Sequence, residues 1–185
     1  SVRHVQAVEN LSDCVPSRPC KEMSYNTLKS ISRLDDKTVK EYVSYLQDAN
    51  LLYLVHNYDF SLKRLIGNKK KVYLVDPLFS RLSFRNSPDR GRLFENFVYM
   101  RLRRRGEDVF FHANGGECDF LVKRGYAITA AIQACYEMDE KNEEREVHGL
   151  LSAMERFSLD EGLIVTRNSN RSFERDGRKV RVVSI

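Results

Sequence analysis

The feature that most narrows the fold is the order of elements between residues 92 and 185: helix, three strands, helix, strand, strand. From about Arg92 to Arg105, residues Leu93, Phe94, Phe97, Val98 and Leu102 share one helical face, and Gly106 ends the run. Glu95 lies at the edge of that face. Three apolar runs of strand length follow, Val109–His112, Cys118–Val122 and Ile128–Cys135. The stretch Asp139–Phe157 then places Val147, Leu150, Leu151, Met154 and Phe157 on one side of a long helix. Leu163–Thr166 and Val180–Ile185 read as strands, the second behind an Asp176-Gly177 turn. The series predicts an α/β domain, a mixed sheet flanked by helices.

The first half has a different grammar. Val2–Val15 carries Val5, Val8 and Leu11 at helical spacing, and Pro16 and Pro19 end it. Ser24 caps a short helix to Ile31, and Asp35 or Asp36 caps a third that runs to about Asn50. Val39, Tyr42, Val43 and Leu46 form its apolar stripe. Leu51–Val55 and Val72–Val75 are strands, and Gly67-Asn68 marks a turn in the basic segment between them. Helix, short turn, helix and a hairpin with a basic tip is the winged-helix order. Asn86–Gly91 reads as a linker, which gives a winged-helix-like domain over residues 1–86 and a second domain over 87–185.

Composition sets the class. Of 185 residues, 42% are hydrophobic and 31% charged, an ordinary globular balance. No apolar run reaches the roughly 20 residues of a membrane span. Ser1-Val2-Arg3-His4 shows neither an initiator Met nor the apolar core of a secretory leader, so a cytoplasmic fragment is expected. Cys14, Cys20, Cys118 and Cys135 form no C-x-x-C pair and read as free thiols in a reducing compartment. The net charge of +5 is uneven. Residues 1–89 carry 14 Lys and Arg against 10 Asp and Glu, whereas residues 90–185 carry 17 against 16. Lys63, Arg64, Lys69, Lys70 and Lys71 cluster with no acid between them and can pair with phosphates, or form a solvated loop. The phosphate-cradling Gly-x-x-x-x-Gly-Lys-Ser/Thr loop does not occur, so no ATP binding by that device is expected.

The carboxylates carry the chemistry. Asp119 alternates with Cys118 and Phe120 and so points to the other face of its strand. Gln133 is a polar residue inside an apolar strand and needs a partner there. If Glu95 converges with them, two carboxylates and an amide oxygen could hold a divalent cation such as Mg2+ for phosphodiester hydrolysis. The alternative is a structural cluster paired with Arg101 or Arg145.

Several blocks together resemble one known pattern. They are Thr38-Val39-Lys40-Glu41-Tyr42-x-x-Tyr45-Leu46, Lys71-Val72-Tyr73-x-Val75-Asp76, Gly91-Arg92-Leu93-Phe94-Glu95-Asn96, Glu117-Cys118-Asp119-Phe120, Ile132-Gln133-x-Cys135-Tyr136-Glu137 and Asn142-x-x-Arg145-Glu146. From about residue 3 to residue 185 the chain is similar to the carboxy-terminal region of a prokaryotic AAA+ family of ATP-binding proteins. The resemblance implies a P-loop ATPase domain, missing from this fragment, then a winged helix, then a domain similar to PD-(D/E)xK nucleases. It maps the nuclease's helix acid onto Glu95 and its strand Asp onto Asp119. Gln133 stands where a Glu belongs and Cys135 where a Lys belongs, with Lys141 the nearest downstream Lys. An amide binds a cation less strongly than a carboxylate, and a thiol cannot replace an ammonium beside developing negative charge. The resemblance therefore implies a DNA-binding, targeting half of an ATPase whose nuclease-like site (Glu95, Asp119, Gln133) is degenerate. Lys37, Thr38, Lys40, Glu41 and Ser44, off the apolar stripe of the third helix, would face a DNA groove. The rival readings are an active Mg2+-dependent nuclease and a protein-docking module; no membrane partner is expected.

Overall fold

The computed structural model describes residues 19–76 and 89–185, together with residues 9, 11, 14 and 15. The expected helix Val2–Val15 therefore lies largely outside the described residues, as do residues 86–88 of the expected linker Asn86–Gly91, whose Arg90 and Gly91 instead open a helix. The chain divides into two compact units, Ser1–Asp89 and Arg90–Ile185.

In the first unit, helix α1 (Tyr25–Ser32) begins where Ser24, in an extended conformation, accepts the Thr27 amide at 3.1 Å. It ends at Arg33, whose φ of 58° turns the chain into the left-handed region. Helix α2 (Asp36–Asp48) is capped by Asp35, which accepts the Thr38 amide at 3.1 Å and the Thr38 hydroxyl at 2.6 Å. Those bonds, the hydroxyl's foremost, hold the Asp35 carboxyl below its ordinary range. Strands β1 (Glu22–Met23), β2 (Leu52–His56) and β3 (Lys70–Leu74) form an antiparallel sheet in the order β1-β3-β2. Leu28, Leu34, Val39, Val43, Leu52, Val72 and Leu74 close a core between helices and sheet.

The basic segment departs from expectation. It contains a helix, α3 (Leu62–Gly67), where a turn at Gly67-Asn68 was expected, and β3 begins two residues early, taking in Lys70 and Lys71. Those lysines pair with His56 and Val55 on one side and with Met23 and Glu22 on the other. They are only 7% and 1% exposed. The Lys70 ammonium donates to the Ile66 and Asn68 carbonyls at 2.9 and 3.0 Å, and burial lowers its pKa.

In the second unit, helix α4 (Arg90–Arg104) precedes strands β4 (Asp108–His112), β5 (Cys118–Arg124) and β6 (Ala127–Ala134). Helix α5 (Glu143–Arg156) precedes β7 (Glu161–Thr166), β8 (Arg171–Arg175) and β9 (Arg178–Ser184). The mixed six-stranded sheet runs β4-β5-β6-β7-β9-β8. Helix α5 carries the chain back so that β7 lies parallel to β6. Helix α5 starts at Glu143 rather than Asp139 because residues 139–142 close a turn of their own. There the Asp139 carboxylate accepts the Lys141 and Asn142 amides at 2.9 and 3.0 Å. Strand β8, unexpected from sequence, has Phe173 as its one apolar residue and sits at the sheet's edge. Among the described residues, no helix is long and apolar enough to cross a membrane. All four cysteines are free.

Two helices cover opposite faces of this sheet. Tyr99 of α4 stacks on Phe120 of β5 at 6.3 Å between ring centres. Alternation then turns Asp119, Leu121, Ala131 and Gln133 toward the other face, where α5 lies. A Cβ on Gly162 of β7 would stand 2.5 Å from the Met154 sulfur of α5. Tighter still, a Cβ on Gly149 of α5 would meet the Glu117 carbonyl oxygen at 2.0 Å. Glycine weakens a helix interior by about 1 kcal/mol relative to alanine, but here it lets the turn before β5 touch the helix backbone. Gly149→Ala should therefore destabilise the protein by about 1–3 kcal/mol despite alanine's better helix propensity. A urea midpoint equal to or above that of the parent chain would refute this reading of the contact.

Candidate functional site

The regular β5–β6 pairing reaches Phe120 opposite Ile132. Beyond that pair, side chains make the bonds. The Asp119 amide donates to the Gln133 side-chain oxygen at 3.1 Å, and the Ala134 amide donates to Asp119 Oδ2 at 3.1 Å. Gln133 Nε2 in turn donates to Glu146 Oε2 on α5 at 2.5 Å. Arg145 holds the other oxygen of Glu146, its Nε donating to Oε1 at 3.1 Å and its terminal nitrogen closing a salt bridge. Asp119, Gln133 and Glu146 are each 6% exposed, so this chain of polar contacts lies inside the protein.

Asp119 and Gln133 are thus brought together. Glu95 stands half-buried on α4, one helical turn from Tyr99, and Tyr99 packs on the sheet face opposite Gln133. Among the described residues, no three His, Cys, Asp or Glu side chains gather as a ligand set. Cys135, buried just beyond the end of β6, donates its S–H to the Glu137 carbonyl at 3.2 Å. Burial first, then the Glu146 charge, pushes its thiol up to about 12, so it stays protonated at neutral pH. Lys141 is exposed in the turn before α5.

Glu146 is the member of this group whose role the sequence did not reveal. Its signal was present: it stands four residues before Leu150 and so lies on the buried stripe of α5. Arg145, one of two candidate partners of a structural cluster, is the arginine found there. Next to this corner, His112 pairs with Cys118 across β4 and β5, is 1% exposed and lies edge-on to Phe157. Neither of its ring nitrogens makes a hydrogen bond of normal geometry. Burial lowers its pKa below 6.5; the nearby Asn114 backbone opposes the shift and the Arg156 charge adds to it.

The candidate DNA-facing residues sort by availability. Lys37, Lys40, Glu41 and Ser44 are exposed along α2, while Thr38 is half-buried and engaged with Asp35. Lys40 pairs with Asp36 at 2.6 Å, Arg64 with Asp59 at 3.0 Å and Lys69 with Glu22 at 3.0 Å, all with exposed cationic ends. Lys63 is exposed on α3. Lys70 and Lys71, expected at an open basic tip, are instead enclosed between two neighbouring strands and out of reach of a phosphate.

Residues 1–84, all within the first unit, match a family described as a domain of unknown function, DUF8612. An uncharacterized protein of Methanocaldococcus jannaschii, MJ1544, is 30% identical over 171 residues. The match covers 86% of this chain and 37% of that protein, so the chain spans little more than a third of the relative's length.

Two outcomes follow from this geometry. Asp119→Ala strands the part-buried Ala134 amide and should lower stability by about 1–3 kcal/mol, whereas Asp119→Asn keeps an acceptor and should lower it less. Equal denaturation midpoints for Asp119→Ala and the parent chain would show that the carboxylate does not hold the strands together. For His112 the folded-state pKa is the lower one, so the unfolded chain takes up the proton first. Its neutral, buried form therefore imposes no penalty above about pH 6.5, and stability falls as the pH drops below that value. Urea titrations between neutral pH and about pH 5 should show that fall, and His112→Phe should flatten it. An unchanged slope in His112→Phe would assign the pH dependence elsewhere.

Proposed function

We propose that this chain is the DNA-binding, targeting portion of a longer ATPase, with a nuclease-like unit that no longer cuts. The observation that carries the second clause is the inward turn of the would-be metal ligands. The Gln133 oxygen accepts the Asp119 amide, and Asp119 Oδ2 accepts the Ala134 amide. An oxygen that already accepts a backbone N–H has one lone pair committed and its direction fixed, which weakens it as a ligand for Mg2+, an ion that requires near-ideal geometry. Cys135, protonated at the position of the nuclease lysine, supplies no positive charge to a phosphodiester transition state. With Gln133 Oε1 and Asp119 Oδ2 engaged and an amide in place of one carboxylate, this donor set fits a divalent cation poorly.

DNA binding is supported by the first unit. Two capped helices between β1 and the antiparallel pair β2 and β3, in a sheet ordered β1-β3-β2, favour the winged-helix reading, with α2 as the groove-facing helix. Lys37, Lys40 and Ser44 would face the groove, and Lys63, Arg64 and Lys69 would meet phosphates. The ATPase domain belongs, on this reading, to the part of the longer protein outside this chain. The docking reading has its own support in Phe60, Leu62 and Ile66, which are 68%, 70% and 59% exposed around α3.

Fluorescence anisotropy with duplex DNA tests the proposal. Lys37→Ala, Lys40→Ala and Lys63→Ala together should weaken binding on any sequence and lower the salt slope by about 0.9 for each phosphate no longer neutralised. Unchanged affinity at low salt would remove the DNA-binding half of the proposal. Plasmid incubated with Mg2+ or Mn2+ should remain intact. Cutting that Asp119→Ala abolishes would restore the active-nuclease reading.

A further inference from the structure

A group of exposed arginines for which no ion pair is found lies on the second unit, along α4. Helix α4 carries five arginines and one acid, and that acid, Glu95, faces the sheet side with Tyr99. The side of α4 turned away from the sheet presents Arg90, Phe97, Arg101 and Arg104 at spacings of seven, four and three residues. Arg105 follows directly beyond the helix. All five are exposed, Phe97 at 45%. The line from Arg90 to Arg104 is about 21 Å long at the helical rise of 1.5 Å per residue. Among the described residues, no ion pair holds Arg90, Arg101, Arg104 or Arg105.

Two ordinary explanations fail for this face. Arginines at a helix end commonly bond the last carbonyls. Here the Leu102 carbonyl already accepts the Arg105 and Glu107 amides at 3.1 and 3.3 Å, and the Arg103 carbonyl accepts Gly106 at 3.0 Å. The φ of 74° at Gly106 makes that backbone closure available. Neighbouring acids neutralise little of this charge, although Glu107 lies within the field of Arg105. Glu107 is held by Arg124 through hydrogen bonds of 2.5 and 3.2 Å, and Asp108 lies 3.9 Å from Lys123. The face therefore keeps its positive charge, with an aromatic ring at its centre.

We infer that this face of α4 binds single-stranded nucleic acid, the Phe97 ring stacking on a base while Arg90, Arg101, Arg104 and Arg105 track the phosphates. A duplex hides its base faces and can use only the arginines; an unpaired strand can use the ring as well. The inference rests on the nucleic-acid reading above but places a second surface on the other unit, with a preference for strand form.

The test uses the whole chain with a fluorescein-labelled oligothymidylate and a duplex of equal length. Phe97→Ala should weaken oligothymidylate binding at least about fivefold and leave duplex binding unchanged, while Phe97→Trp should retain affinity. Arg101→Ala with Arg104→Ala should lower the single-strand salt slope by about 0.7 for each phosphate left without its arginine, and lysine at both positions should restore it. All these side chains are exposed, so equal thermal midpoints should accompany every variant. Duplex binding without oligothymidylate binding overturns this inference and leaves the DNA-binding proposal standing. Failure of the parent chain to bind either strand form overturns both. Equal competition by polyglutamate, with no effect of Phe97→Ala, shows a surface for acidic protein and overturns the inference as well.

Discussion

Where β5 and β6 part, two side chains take over from the backbone, and the second unit is organised around that exchange. Beyond Phe120 and Ile132, Asp119 and Gln133 each accept an amide from the opposite strand. Gln133 then reaches Glu146, and Glu146 reaches Arg145 at the surface. A buried carboxylate without donors would be expensive. Here the donors come from the sheet on one side and a guanidinium on the other, so sheet and α5 are satisfied together. The same bonds that stabilise the opening engage Gln133 Oε1 and Asp119 Oδ2.

The first unit settles a comparable conflict between charge and burial. Register places Lys70 and Lys71 inside a three-stranded sheet, where an ammonium loses most of its water. Lys70 regains two acceptors from the end of α3. A cation that could have met a phosphate instead fixes a six-residue helix too short to hold itself together. Of the cations considered for DNA in this unit, Lys37, Lys40, Lys63, Arg64 and Lys69 stay exposed.

Legibility followed how local each determinant is. The caps at Ser24 and Asp35 could be read directly, because a cap acts within three residues. Helices and central strands could be read from their period, and Asp119 and Gln133 from being polar among apolar neighbours. Lys70 and Lys71 could not, since their residue type says surface and only cross-strand register says otherwise. Glu146 was masked by the charged residues around it, Glu143, Glu144 and Arg145, which look like one solvated face. Strand β8 offers one half-buried Phe173, because an edge strand has little apolar surface to declare.

That edge has a meaning of its own. Outermost strands carry rows of unsatisfied amides and carbonyls that invite a neighbouring chain to continue the sheet. Strand β8 answers with Arg171, Ser172, Glu174 and Arg175, all exposed, which make a stranger's backbone pay for desolvating charge before it can pair. At the opposite margin, β4 slips register against β5 between Phe110 and His112, which distorts the row that an incoming strand would have to match. The sheet thus carries its own stop signals at both margins, and these oppose runaway polymerisation when the protein is crowded.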